Sequence, residues 1–320
     1  MKIFTADSFT DTIFAGNPAG ICILERFPTE QDMQSIAAEV NLSETAFVVP
    51  VSENSFNIRW FTPSVEVALC GHATLAAAHI LWNEISESYP PEIFFECKSG
   101  RLRAIRLEEK GAISLDFPSY ATAQVETPPG LVEALGCDPI FVGLAGDDYL
   151  IELASAYAVI KHTPNIDLLA HLPCRGVIVT GRADKNESEN EICAFDFASR
   201  FFGPRVGVPE DPVTGSAHCK LAPYWSQRLG TKVMRAFQAS KRGGHLIVTD
   251  AGSRVYIEGR AVTVFVIEFS HWKPSSHSSS SAPTSGVAVP VPVEGCGGCC
   301  GGDDNTSRTT VTAVSPDAKN

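Results

Sequence analysis

Across residues 56–61 apolar and polar side chains alternate with a period of two: Phe56, Ile58 and Trp60 fall on one face, and Asn57, Arg59 and Phe61 on the other. That is the pattern of a strand. Apolar runs of strand length recur at 2–6, 21–24, 93–97, 102–107, 112–117, 149–160, 176–180, 193–199, 233–240, 245–249, 255–258 and 261–268, bounded by Gly and charged residues. Helical spacing is rarer. Thr29 can cap a helix over 29–40 in which Met33, Ile36, Ala37 and Val40 share a face, and shorter helices fit 131–135 and 166–172. Turn chemistry separates these elements. Gly16-Asn17-Pro18-Ala19-Gly20 supplies glycines for unusual backbone angles and a rigid proline, and Lys241-Arg242-Gly243-Gly244 suits a tight hairpin. The polar stretch 183–191 reads as an exposed hairpin tip.

Two stretches stand apart from this rhythm and match each other. Pro209-Glu210-Asp211-Pro212-Val213-Thr214-Gly215-Ser216-Ala217-His218 runs from acids and prolines into helix-forming residues, with Thr214 or Ser216 able to cap the helix. Glu66-Val67-Ala68-Leu69-Cys70-Gly71-His72-Ala73 has the same skeleton: Glu66 matches Glu210, Gly71 matches Gly215, and Ala73 matches Ala217. The two glycines stand 144 positions apart, and an apolar run follows each, 73–82 and 219–225. One such motif is accounted for by an ordinary N-cap after a turn; two point to a duplicated unit. A helix that begins at a glycine offers free N–H groups and the positive end of its dipole to a carboxylate or phosphate. Two such ends facing each other would form an anion-binding cleft between domains.

Composition narrows the partner. At 320 residues, 44% hydrophobic and 19% charged, the chain has room for two cored domains or one large one. A net charge of −12 and a pI near 5.1 argue against nucleic acid or an anionic membrane, and for a small anionic metabolite met by locally concentrated donors. Of the ten cysteines, Cys22, Cys70, Cys97, Cys137, Cys174, Cys193 and Cys219 are scattered without metal-type pairing. With no signal-like start and no apolar run of about 18 residues, the expectation is a cytoplasmic protein with reduced thiols. Beyond Ser270 the composition turns to Ser, Pro, Gly and Thr, and 271–320 is expected to be a disordered tail. Its Cys296-Gly297-Gly298-Cys299-Cys300 has three readings: a soft-metal ligand set, an acylation site, or no function. Neither a Walker lysine motif nor a Rossmann glycine fingerprint is present.

Individual polar residues carry two readings each. Glu44 stands between the 29–40 helix and the apolar run Ala46-Phe47-Val48-Val49. A carboxylate there is either a solvated charge or half buried with its pKa raised toward neutrality. Cys70 is a buried thiol or a site residue, His72 a helix-start polar residue or a substrate contact, and Asn17 a turn residue or a substrate contact.

Phe14-Ala15-Gly16-Asn17-Pro18-Ala19-Gly20, Leu42-Ser43-Glu44-Thr45-Ala46-Phe47, Arg59-Trp60-Phe61-Thr62-Pro63 and Arg242-Gly243-Gly244 complete an ordered set with the two glycine motifs. Over roughly residues 1–269 this set resembles the PhzF, phenazine biosynthesis-like, family, behind which stands the diaminopimelate epimerase superfamily. The resemblance implies an α+β fold of two pseudo-symmetric β-barrel-like domains, each wrapped around a central helix, with the active site between them. The first would span 1–118 with a returning strand near 261–269, the second 119–260. It further implies an isomerase that needs no metal and no organic cofactor, with room for a homodimer. Glu44 would be the proton-transfer residue, with His72 and Asp211 orienting the substrate and sharing its protons. Asn17, Cys70 and Thr214 would line the substrate, and backbone N–H groups around Gly71, His72, Gly215 and Ser216 would hold its carboxylate charge.

The superfamily's epimerases use two cysteines, one at the start of each central helix. Here Cys70 holds the first position and Thr214 the second. A threonine hydroxyl cannot replace a thiolate as proton acceptor, so two-base epimerisation is not expected. Two other readings stay open: a metabolite-binding or regulatory protein on the same scaffold, and a racemase using Cys70 with an unusual partner.

Overall fold

The computed structural model describes residues 1–108, 111–183 and 195–269. In its first half the order is β1 (Lys2–Ser8), β2 (Asn17–Ile23), α1 (Glu30–Val40), β3 (Glu44–Pro50), β4 (Ser55–Phe61), β5 (Glu66–Val67), α2 (Gly71–Ile80), β6 (Glu92–Cys97), β7 (Gly100–Arg106) and β8 (Ala112–Pro118). The second half opens with β9 (Ala123–Gln124), α3 (Leu131–Leu135), β10 (Phe141–Ala145), β11 (Asp148–Glu152), α4 (Ala156–Lys161), α5 (Ile166–Leu169) and β12 (Gly176–Arg182). It closes with β13 (Phe197–Gly203), β14 (Val208–Asp211), α6 (Gly215–Leu229), β15 (Val233–Gln238), β16 (Gly244–Asp250) and β17 (Arg254–Glu268).

The pairings repeat. β1 and β2 are antiparallel, β2 and β3 parallel across α1, β3 and β4 antiparallel, and β4 and β6 parallel across α2. β10 and β11 are antiparallel, β11 and β12 parallel across α4 and α5, β12 and β13 antiparallel, and β13 and β15 parallel across α6. Even the ion pair that braces the short strand before each central helix is duplicated: Arg59 holds Glu66 at 2.7 Å, and Arg200 holds Glu210 at 2.7 Å. The glycine motifs are thus the visible remnant of a repeat that runs through both halves.

α2 is apolar on every side. His72 through Ala78 and Ile80 are all buried, so this helix can only be an interior one, and it lies against β1, β2, β3, β8 and β17. Its run of alanines lets those strands approach closely. α6, with Leu221, Ala222 and Trp225 buried, packs against β15, β16 and β17. Trp60, Trp82 and Trp225 join the continuous core formed around the two helices. A second core gathers Leu131, Ile151, Val159 and Phe202 under α3 to α5.

β17 crosses between the halves. Its residues Arg254 to Arg260 pair with β8, while Ala261 to Glu268 pair with β1. The mirror arrangement is shorter: β9, just beyond β8, pairs with β10.

Several expectations change. The 149–160 run is two elements, β11 and α4, because Ser155 Oγ accepts from Ala158 N–H at 3.2 Å and starts a helix there. The runs at 255–258 and 261–268 are one strand of 15 residues, since Gly259 and Arg260 keep their partners across β8. Asn17 to Gly20 belong to β2 rather than to a turn; of that motif only Gly16 is left-handed, at φ 63°, under a contact with Ser8 O that no Cβ would tolerate. The helix near 166–172 ends at Leu169. β13 runs over Phe197–Gly203; the expected start of that strand at 193 lies outside the described residues, as do most of the expected hairpin tip and the expected tail at 271–320. No helix among the described residues is long and apolar enough to cross a membrane.

Candidate active site

The repeat brings two helix ends to one point. A methyl placed on Gly71 would lie 3.4 Å from Gly215 Cα, and one placed on Gly215 would lie 3.4 Å from Gly71 Cα. Neither glycine is left-handed, so both serve close approach rather than an unusual angle. The first N–H groups of α2 and α6 have no intrahelical acceptor by geometry, and the positive ends of two dipoles therefore meet.

Around this point the strand ends deliver side chains. Asn17 opens β2, Glu44 opens β3, Asp211 ends β14, Cys70 precedes α2 and Thr214 precedes α6. Asn17 Nδ2 donates to Asp211 Oδ1 at 2.8 Å and to Val213 O at 2.9 Å, tying β2 to the α6 entry. These two acceptors fix the amide orientation and leave the buried Asn17 Oδ1 without a partner among the described residues. Thr214 Oγ1 donates to Asp211 Oδ2 at 2.6 Å and accepts from Gln238 Nε2 at 3.1 Å, so its proton is committed to Asp211. His72 Nδ1 lies 3.2 Å from Asn17 Nδ2 and 3.5 Å from Cys70 Sγ. Its Nε2 lies 3.2 Å from Glu44 Oε2 but outside hydrogen-bond alignment, so that nitrogen is also unpartnered. Ser8 Oγ donates to His72 O at 2.8 Å and pins the first turn of α2.

Burial sets the protonation states. Glu44 is raised to about 8, first by desolvation and then by the Asp211 charge, with the Cys70 thiol pulling the other way. Asp211 is raised to about 6 by burial, against the hydrogen bonds of Thr214 and Asn17. Burial lowers His72 to about 3, which leaves it neutral. The Cys70 thiol is pushed well above its ordinary range by burial and by Glu44. Glu44 keeps access to solvent, with 19% of its side chain exposed against 5% for His72.

Asn17, Glu44, Cys70, His72, Asp211 and Thr214 therefore converge, with Gly71 and Gly215 between them. Ser216 sits to one side, where Arg175 Nη2 donates to its Oγ at 3.2 Å. The ligand atoms of Glu44, Cys70 and His72 fall within 4.8 Å of one another, the one such group among the described residues with metal-ligand spacing. The thiol, however, meets the Nδ1 side of the imidazole and the carboxylate its Nε2 side. Gln238, which braces Thr214 and Asp211 through three hydrogen bonds, and Arg175 carry no sequence signal of their own. Only the strand pairing that ends β15 beside α6 brings Gln238 in.

Paired central helices wrapped by repeated strands, with an ionisable cluster where their N-termini meet, define the diaminopimelate epimerase-like class of fold. A probable proline racemase from Agrobacterium radiobacter K84 shares that fold alone, at 12% identity and a TM-score of 0.55 over 84% of this chain and 93% of the other. Within the class, the model of the phenazine biosynthesis-like protein family, PhzC-PhzF, matches residues 6–266, and the chain belongs to that family. It is 47% identical to a protein of Halalkalibacterium halodurans named as an uncharacterized isomerase, over 82% of this chain and 96% of the relative. A PhzF family crystal structure from Enterococcus faecalis matches at 38% identity and a TM-score of 0.76, covering 83% of this chain and 97% of the other. The protein is an enzyme of isomerase type.

Proposed function

We propose that this isomerase moves a proton between carbons of a small carboxylate-bearing metabolite, with Glu44 as its single acid/base. The substrate would bind between a unit of residues 1–118 closed by 261–269 and a unit of 119–260. Its carboxylate would meet the N–H groups at Gly71, His72, Gly215 and Ser216. The Glu44 carboxylate takes a proton from the carbon next to that carboxylate. The electron pair left behind spreads onto the carboxylate oxygens, where the two helix ends stabilise the enolate-like charge. In a substrate with a carbon–carbon double bond next to that carbon, the pair also reaches the far end of the double bond; Glu44 returns the proton there on the same face, so the double bond shifts and no atom is gained or lost. Neutral His72 and the Asp211 carboxyl orient the substrate and share its protons.

One observation carries this reading. A carboxyl at about 8 is populated in both forms near neutrality, which suits a group that must accept and then donate. Neither alternative base is so placed: Cys70 is held protonated, and the Thr214 hydroxyl is committed to Asp211. Incubation with candidate metabolites in deuterium oxide tests it. Wild type is expected to exchange the hydrogen next to the carboxylate, Glu44→Gln to lose about 10²–10⁴-fold in rate with little change in affinity, and Cys70→Ala to lose far less. Full exchange by Glu44→Gln with none by Cys70→Ala would assign the base to the thiol instead. For the wild type, turnover should also rise with pH toward about 8, as Glu44 ionises.

A further inference from the structure

Beside the Glu44 cluster, on the flank of α6, two cations share one acid that has no access to water. Asp148, fully buried at the start of β11, receives both Nε and Nη2 of Arg175 and the ammonium of Lys220. The topology explains the convergence. Asp148 pairs with Gly176 across the parallel β11–β12 ladder, which places Arg175 beside it, while Ser216 and Lys220 stand one turn apart on the same face of α6. Two positive groups on one carboxylate leave a formal surplus of one positive charge. That surplus adjoins the end of a helix dipole of the same sign.

Asp211 and solvent take part of that surplus, and on the exposed Arg175 an anionic ligand can take the rest. Arg175 is the member able to reach a ligand. Lys220 has 8% of its side chain exposed, Arg175 39%. Its Nε and Nη2 edge is fixed by Asp148 and its Nη2 also holds Ser216, while the two N–H groups of Nη1 meet no acceptor among the described residues. The plane is further steadied over the Phe201 ring, 5.1 Å from its centroid. Arg175 also counts among the charges that pull Asp211 down, which places it within electrostatic reach of the site.

We propose that Arg175 is a specificity-determining residue that binds a second carboxylate of the substrate, so that this enzyme's substrate is a dicarboxylate. The first carboxylate occupies the facing helix ends; the second accepts from Nη1 of Arg175. Ser216, in the first turn of α6, accepts from Arg175 Nη2 at 3.2 Å and so links the two positions, which calls for a short dicarboxylate. Asp148 and Lys220 are positioning residues: the acid orients the guanidinium and the lysine offsets the acid, leaving the arginine charge for the ligand. This proposal rests on the helix-end anion site of the reading above.

Succinate and butyrate serve as probes, since they share a four-carbon skeleton and differ in the second carboxylate. Calorimetric titration of the wild type is expected to show succinate binding at least about 10-fold tighter than butyrate, the worth of one charge-assisted pair. Arg175→Gln should bring the two within about 2-fold by weakening succinate alone, and Arg175→Lys should keep part of the preference. A preference unchanged in Arg175→Gln overturns the proposal. Gly215→Val separates the two layers. If it abolishes both probes while the wild type shows no preference, only the role of Arg175 fails; if it leaves both intact, or if the wild type binds neither probe, the helix-end site fails with it. Should the arginine variants not fold, phenylglyoxal labelling of the wild type decides. Arg175, mapped by mass spectrometry, is expected to be protected by succinate and not by butyrate, and equal labelling with both overturns the assignment.

Discussion

Ionising Glu44 inside the fold costs more than ionising it in the unfolded chain, because burial and the Asp211 charge both oppose the carboxylate. With a folded pKa of about 8 against an ordinary value near 4.3, the native state keeps a proton that the unfolded chain has already released. Its contribution to stability is therefore whole at acid pH and is lost as pH rises toward 8. Asp211, raised to about 6, acts in the same sense over a lower range. His72 acts in the opposite sense: held to about 3, it stays neutral in the fold while the unfolded chain takes up a proton below about 6.5, so its share falls away as pH drops from 6.5 to 3. Glu44→Gln removes the first effect. Its melting temperature should exceed that of the wild type by at least about 5 °C at pH 8.5 and converge on it near pH 5. Melting curves of the two proteins that stay parallel from pH 5 to 8.5 would place the alkaline loss elsewhere.

At the scale of elements, the two central helices differ in what they tolerate. α2 is enclosed on all sides, and Ala76 is fully buried within it. Ala76→Leu should cost about 1–3 kcal/mol of stability, read from the urea midpoint, because the strands around it have no slack. Gly215→Val, at the start of α6, acts at a contact instead: its methyls would press on Gly71 across a gap already at van der Waals distance. It is expected to abolish binding of short carboxylates with a smaller loss of stability than Ala76→Leu; unimpaired binding would remove the helix-end site. The helix at 29–40 and the strand at 56–61 were legible because local pattern decides both, Thr29 capping the one and strict alternation marking the other. The 149–160 run was not: only Glu152 and Ser155 break its apolar character, too few for a period to show, and the capping Ser155 divides it. The same holds in the site. Asn17, Glu44, Cys70, His72, Asp211 and Thr214 sit in motifs that can be recognised along the chain, whereas Gln238 and Arg175 reach their places only through long-range strand pairing.

At the scale of the molecule, β17 is shared property. It supplies the neighbour of β8 with one part of its length and the neighbour of β1 with the other. A chain ending at Phe269 keeps every one of these pairs and is expected to melt within about 2 °C of the full protein. A chain ending at Arg260 loses the pairs from Lys2 with Glu268 to Ser8 with Ala261, and bares an edge of β1. It should express mostly as aggregate and lose cooperative unfolding. A soluble, cooperative 1–260 protein would mean that the first half closes without its last strand.

That shared strand also sets an order of events during synthesis. β1 is made before every other described strand, and its partner β17 is the last of them to follow, with Lys2 awaiting Glu268. Helix α2 is complete well before β17 is made, so until Arg254–Glu268 follow, the nascent chain carries an apolar helix whose covering wall lacks one strand. Closure must then proceed by contacts of very long sequence separation, the kind that slows folding most. The duplicated architecture, which invites a picture of two halves folding one after the other, instead obliges them to finish together, and the nascent protein should lean on holding chaperones until β17 is free.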